Sequence, residues 1–178
     1  MKKKPYSLFF GLLTGMTLFL SCTKKGDVQK ELKIDDKNLT SCRSGAGCEY
    51  LFTEQADLNA DNGFKTGTYR LFWFKEQSPG FSTSVYIKAP MQGNSFELTK
   101  ADLLADRVQF SQSCPACYLI PFKPVDGYVK GINITPEKPA DQVRWLLEGK
   151  VILQGTANPS IRDTVFVKQY FSPNFVLN

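Results

Sequence analysis

Residues 164–171 read Thr164-Val165-Phe166-Val167-Lys168-Gln169-Tyr170-Phe171. They are mostly β-branched or aromatic, types that pack well on a pleated, half-buried surface. Val165, Val167 and Gln169 point one way and Phe166, Lys168 and Tyr170 the other. That period of two marks a strand with at least one face on a core. Upstream, Tyr128, Lys130, Ile132 and Ile134 likewise share a face opposite Val129, Gly131 and Asn133.

Working outward, the same rhythm runs from Cys42 to the end: short apolar runs parted by Gly, Pro, Asn and Asp. Strands are predicted over 49–52, 68–75, 83–88, 95–98, 107–111, 127–134, 143–153 and 164–171. Turns are predicted at Pro79-Gly80, Gln92-Gly93-Asn94 and Asp126-Gly127. One short helix is expected, because Thr99-Lys100-Ala101-Asp102 has the form of a capping box ahead of Leu103 and Leu104. The fold expected over residues 41–178 is therefore all-β, a single antiparallel β-sandwich with at most one short helix. A closed, calycin-like β-barrel is the alternative.

The amino terminus carries an address. Lys2, Lys3 and Lys4 precede an apolar run from Leu8 to Leu20, which is shorter than the roughly 20 apolar residues of a comfortable membrane span. It matches the h-region of an export signal. Its end, Phe19-Leu20-Ser21-Cys22, resembles the lipobox cleaved by signal peptidase II, with Ser21 as the small residue and Phe19 in place of the usual Leu. The resemblance implies a signal peptide over 1–21 and a lipidated Cys22. Residues 22–40 form a flexible tether, mixed in charge and without aromatics. Lipid chains contribute about 0.8 kcal/mol per buried methylene, so two or three on one residue anchor the domain durably. Neither an early Asp nor an early acidic run follows Cys22, which points to the outer membrane, facing the periplasm.

Composition excludes much. A chain of 178 residues, 42% hydrophobic, holds one ordinary domain. The three N-terminal lysines supply over half of the net charge of +5, and no aromatic-and-basic RNA motif accompanies the rest, so no nucleic-acid partner is expected. There is no histidine, which removes Ser-His-Asp and Cys-His catalysis, His-ligated zinc and CxxCH haem attachment together. No Gly-rich phosphate loop or GxSxG elbow is present, and no cofactor is indicated.

With Cys22 lipidated, four of the five cysteines remain: Cys42 and Cys48, and Cys114 and Cys117 in Ser113-Cys114-Pro115-Ala116-Cys117. In an exported chain an even set reads first as a disulfide framework with three connectivities. Closing Cys42 to Cys114 would stabilise by about 4 kcal/mol on the chain-entropy model, and either local pair by about 2. Local pairs form more readily because their sulfurs already lie close. A redox reading of the CxxC needs a helix start under Cys114, yet Pro121 and Pro124 follow and the flanks read as strands. A zinc site would join the two pairs, but the five residues between Cys42 and Cys48 exceed the usual spacing.

The stretch from Asp57 to Gly63 has oxygen ligands at alternate positions, like the start of a calcium loop. Its glycine is one place late and Thr68 stands where a bidentate carboxylate belongs, so it reads as a turn. Trp73, in Phe72-Trp73-Phe74, and Trp145 are candidates for a ligand surface, although aromatics more often fill cores. Asp163-Thr164-Val165 resembles a short O-glycosylation signal and otherwise simply opens a strand. Asp102 and Asp106 would share a helical face, which reads as solvated.

FLSC at 19–22, CRSGAGCEYLFTE at 42–54, SCPAC at 113–117, RWLLEGKVIL and DTVFVKQYFSPNF together resemble small lipoproteins of Bacteroidota-type bacteria. The resemblance spans most of the mature chain and implies no particular activity. The functional expectation is a membrane-tethered cell-envelope lipoprotein acting as a binding or structural module, not an enzyme, with an envelope protein or glycan as partner. The alternatives are a barrel that binds a small apolar or sugar ligand, and a thiol-redox or zinc protein built on Cys114 and Cys117.

Overall fold

Inward-facing residues of both sheet halves meet at Phe72, whose ring lies 5.5 Å from those of Phe96 and Trp145 and 5.7 Å from Phe171. The computed structural model describes residues 32–175. The elements are β1 (Gly47–Leu58), β2 (Phe64–Thr66), β3 (Tyr69–Ser78), β4 (Phe81–Pro90), β5 (Ser95–Leu98), α1 (Lys100–Leu104), β6 (Val108–Ser113), β7 (Phe122–Asn133), β8 (Trp145–Gly155) and β9 (Arg162–Pro173). A 3-10 turn at Ala140–Gln142 precedes β8. Among these residues no helix is long and apolar enough to cross a membrane.

The chain is all-β with little helix, and it forms one sheet in the order β5-β7-β8-β9-β1-β3-β4-β6, with β2 paired to β1. The sheet curls into a half-barrel that is open between β5 and β6 and packs its two halves face to face, so it is neither a pair of separate sheets nor a closed circle. Pairing is antiparallel except at one seam, where β1 and β9 run parallel through Leu51↔Ser172 and Phe52↔Pro173. Before that seam the edge of β9 is covered from upstream. The Thr40 amide donates to the Lys168 carbonyl at 2.8 Å, and the Lys168 amide donates back to the Thr40 hydroxyl at 2.8 Å. Asp35 takes the Lys168 ammonium at 2.6 Å and Asp36 accepts from the Tyr170 hydroxyl at 3.4 Å. The segment from Asp35 to Thr40, expected to be flexible, is thus fastened to β9. The expected signal peptide over 1–21, Cys22 and the expected tether up to residue 31 lie outside the described residues.

The alternation seen at 164–171 holds: Val167 and Phe171 are buried inward, and Phe166 is 61% exposed. β3 does not alternate, since Leu71, Phe72, Trp73 and Phe74 are all buried. Phe72 and Phe74 face the inner core. Leu71 and Trp73 face a second, outer cluster with Ala56 and Leu58. The β1–β2 hairpin covers that outer face and brings Phe64 to 4.6 Å from Trp73. A strand covered on both faces reads as a continuous apolar run.

Three features differ from the sequence expectation. β1 continues through the polar Thr53-Glu54-Gln55 because a bulge between Thr53 and Ala56 absorbs the extra residues, with Gln55 at φ 54°. β2 is additional. Asp126-Gly127 is not a turn but lies inside β7, beside a register shift between Pro124 and Asp126. Gly127 there has φ 123°, and a Cβ would stand 1.9 Å from the Lys150 carbonyl oxygen, so the close backbone approach requires glycine. The predicted capping box forms: the Thr99 amide and hydroxyl donate to Asp102 Oδ2 at 2.8 and 3.0 Å, and Leu103 is buried against the core.

Candidate functional site

Strand register determines what collects at each end of the half-barrel. Toward one end the inward positions turn from apolar to polar in the same layer. Along β3 they read Phe72, Phe74, Glu76, and along β4 Ile87, Val85, Thr83. On β6 they read Val108, Phe110, Gln112, and on β9 Val167, Val165, Asp163. Glu76 pairs directly with Thr83, Thr83 with Gln112, and Cys48 with Glu76, so the layer crosses four neighbouring strands in register.

Glu76, Thr83, Gln112 and Asp163 line a cleft of about 420 Å³ whose floor includes Tyr50, Phe74 and Phe110. That volume lies within the range of about 300–1,000 Å³ common for small-molecule sites. Tyr50 stacks on Phe74 at 5.9 Å and meets Phe171 edge-on at 5.6 Å. Burial, with a smaller contribution from the Glu76 carboxylate, raises the Tyr50 phenol above its ordinary pKa, so it stays protonated and able to donate. Among the described residues, the Tyr50 hydroxyl, Thr83 hydroxyl and Gln112 side-chain amide, all on the cleft wall, have no side-chain hydrogen-bond partner.

Both cysteine pairs sit at this end. Cys42 and Cys48 are at disulfide distance, with Cα atoms 5.8 Å apart, and Cys114 and Cys117 likewise at 5.2 Å. The first clasp holds Arg43 so that its Nε reaches Glu76 at 3.0 Å across the cleft rim. The second follows β6 directly and forms a turn, in which the Cys117 amide donates to the Cys114 carbonyl at 3.2 Å. No helix begins there, so the helix dipole that lowers a CxxC thiol's pKa is not supplied. Among the described residues no group of three or more His, Cys, Asp or Glu side chains is placed to hold a metal.

The opposite end is built around Arg70. Its side chain is 9% exposed; Nε and Nη2 each lie 3.0 Å from Glu54 Oε1, and Nη2 donates to the Met91 carbonyl at 3.0 Å. Its guanidinium lies 4.4 Å over the Trp145 ring. Arg70 Nη1 and Trp145 Nε1 are buried without hydrogen-bond partners among the described residues. Glu54, Phe52, Val143 and Lys138 line a neighbouring cleft of about 370 Å³. Trp145 and Trp73, the two candidate ligand aromatics, are 1% and 6% exposed. They lie in different clusters, on opposite faces of the sheet, and present no ring face to solvent.

The calcium-like stretch is a turn held by Asn59, whose side-chain oxygen accepts from the Asp61 and Gly63 amides at 2.9 and 2.7 Å. Its first carboxylate, Asp57, pairs with Lys88 at 2.7 Å. Sequence reasoning missed the inward polar layer. Its signal was present in the period-two pattern, where Gln112 shares parity with Val108 and Phe110, but the alignment with Glu76 and Thr83 depends on register. No family model, curated protein or solved structure matches this chain.

Proposed function

We propose that this chain is a lipid-anchored cell-envelope lipoprotein, held at the outer membrane through Cys22 and facing the periplasm, whose all-β domain serves as a binding module and not as a catalyst. The observation that carries the binding reading is the cleft at the cysteine end. It has an aromatic floor and a polar rim, and the Cys42–Cys48 clasp holds the rim residue Arg43 against Glu76. Rigid loops at a barrel mouth limit the entropy lost when a ligand is fixed, which favours binding. The catalytic alternatives lack an equivalent observation, because the paired Arg43 and Glu76 and the solvated Asp163 do not form an acid–base pair around a reacting centre.

The anchor is tested by fractionating cells that express Cys22→Ala, which should leave the membrane fraction. Unchanged retention would sink that half of the proposal. The binding half is tested by native mass spectrometry of the detergent-extracted protein. A bound molecule should be present, and Gln112→Trp, which fills the cleft, should abolish it. An adduct that survives Gln112→Trp would place the ligand elsewhere.

A further inference from the structure

The ligand class can be narrowed from the chemistry of the cysteine-end cleft. This step rests on the binding-module reading. We infer that the cleft takes a neutral sugar ring, seated on the aromatic floor at Tyr50 and Phe110 and hydrogen-bonded by Gln112, Thr83 and Glu76.

Three observations lead there. First, the floor is aromatic and the rim is polar, the amphipathic surface that matches a pyranose with its C–H face and its edge of hydroxyls. Second, the rim offers both donors and acceptors. Gln112 supplies both, the Tyr50 and Thr83 hydroxyls can do either, and Glu76 and Asp163 accept. A sugar hydroxyl donates and accepts at once and satisfies such a mixed set, whereas a fatty acyl chain would leave the Gln112 amide and two hydroxyls desolvated without partners. Each such loss costs about 1–3 kcal/mol. Third, the cleft favours a neutral ligand. Arg43 already neutralises Glu76 at 3.0 Å, and the Asp163 carboxylate accepts from the Thr164 amide at 2.7 Å, so no unpaired cation is presented to an anion.

The test uses the full-length chain, detergent-extracted and labelled with ¹⁵N, titrated separately with maltotriose, mannotriose and chitotriose, and with decanoate as the apolar comparison. At least one trisaccharide should saturably shift the Gln112 side-chain amide signals together with the backbone amides of Thr83 and Val165. The Gln112 side-chain amide has no hydrogen-bond partner among the described residues, so Gln112→Ala should keep the fold and weaken binding about five- to tenfold, the value of one hydrogen bond. Tyr50→Leu keeps an apolar floor without the aromatic face and should weaken the same sugar. Saturation by decanoate with no response to any sugar would overturn the sugar assignment while leaving a binding module in place. If no probe shifts these signals, or if Gln112→Ala binds the sugar equally well, the assignment is likewise overturned. The membrane-release and native-mass results judge the broader reading separately.

Discussion

Arg70 and Trp145 form a cation–π pair, guanidinium over indole at 4.4 Å, in which each partner keeps one buried nitrogen, Arg70 Nη1 and Trp145 Nε1, without an acceptor among the described residues. Glu54 and the Met91 carbonyl hold the remaining edge of the guanidinium. Cation–π attraction over a desolvated indole is worth up to about 2 kcal/mol, and it offsets part of the cost of burying the charge. Removing Glu54 leaves that charge with less compensation. Because the Glu54 side chain is 52% exposed, solvent screens its pairing, and Glu54→Ala should cost about 1 kcal/mol. Arg70→Ala adds a cavity and should cost about 2–4 kcal/mol, while Arg70→Met, which fills the space without an orphaned donor, should cost clearly less. Urea denaturation of the three variants checks the order; equal losses for Met and Ala would refute it.

Gln55 occupies the β1 bulge at φ 54°, a left-handed conformation that costs a non-glycine residue about 1 kcal/mol. Its carbonyl accepts from the Gly67 amide at 2.8 Å, which holds the bulge in place. Gln55→Gly should therefore raise stability or leave it unchanged, contrary to the usual effect of glycine in a strand. A loss above about 1 kcal/mol in chemical denaturation would show that the bulge does not strain the backbone.

Gly127 behaves in the opposite way. A methyl group there would collide with the Lys150 carbonyl oxygen at 1.9 Å, in backbone that cannot yield without breaking the β7–β8 ladder. Gly127→Ala should cost more than about 3 kcal/mol, at the upper end of single substitutions. Retention of the wild-type thermal midpoint would contradict this close approach.

The cysteine pairing predicts two peptide links in the unreduced protein, Cys42 to Cys48 and Cys114 to Cys117. Each closes a short loop, so removing either by paired Ser substitution should cost about 2 kcal/mol. Their functional consequences should differ. Loss of the first pair frees the loop that aims Arg43 at Glu76 and should loosen the cleft, whereas loss of the second frees only a turn beyond β6. Mass spectrometry of unreduced digests showing Cys42 joined to Cys114 would overturn this arrangement.

Acid should release the segment at Asp35–Thr40 from β9. The Lys168 ammonium, which donates to Asp35 and also lies 3.3 Å from Glu148, holds the Asp35 carboxyl below its ordinary range, with the Lys37 amide assisting. A carboxylate lowered in the folded state stabilises above its unfolded pKa and stops doing so as pH falls through the folded value. Lys168 is raised by the hydrogen bond to Asp35, so its contribution is full below its unfolded pKa and fades only at strongly alkaline pH. Docking is therefore complete near neutrality and weakens below about pH 4. Hydrogen exchange at the Lys168 amide, corrected for intrinsic rate, should accelerate there, and Asp35→Asn should already be less protected at neutral pH. Protection that stays constant down to about pH 2 would count against the linkage.

Much of the architecture was legible in local chemistry. Period-two runs between Gly and Pro signals located β3 to β9 to within a few residues, and the Thr99–Asp102 capping box located the helix, because both signals depend on nearest neighbours. β1 was seen only in its apolar half, since a bulged strand carries polar residues through a stretch that looks like a loop. Asp126-Gly127 misled for a related reason: the glycine serves contact with β8, not chain reversal.

The sequence by itself determined an all-β domain with little helix, and it singled out four cysteines, which it paired most readily as two local bridges. Tertiary structure alone decided that one sheet curls into a half-barrel, that β1 meets β9 in a parallel seam, and that Trp73 and Trp145 lie in separate clusters. It also decided that Glu76, Thr83 and Gln112 form one inward layer beside both cysteine pairs. Parity along a strand tells which side chains share a face, but register between strands far apart in the chain is set by long-range packing. That register brings the polar ends of four strands to one mouth.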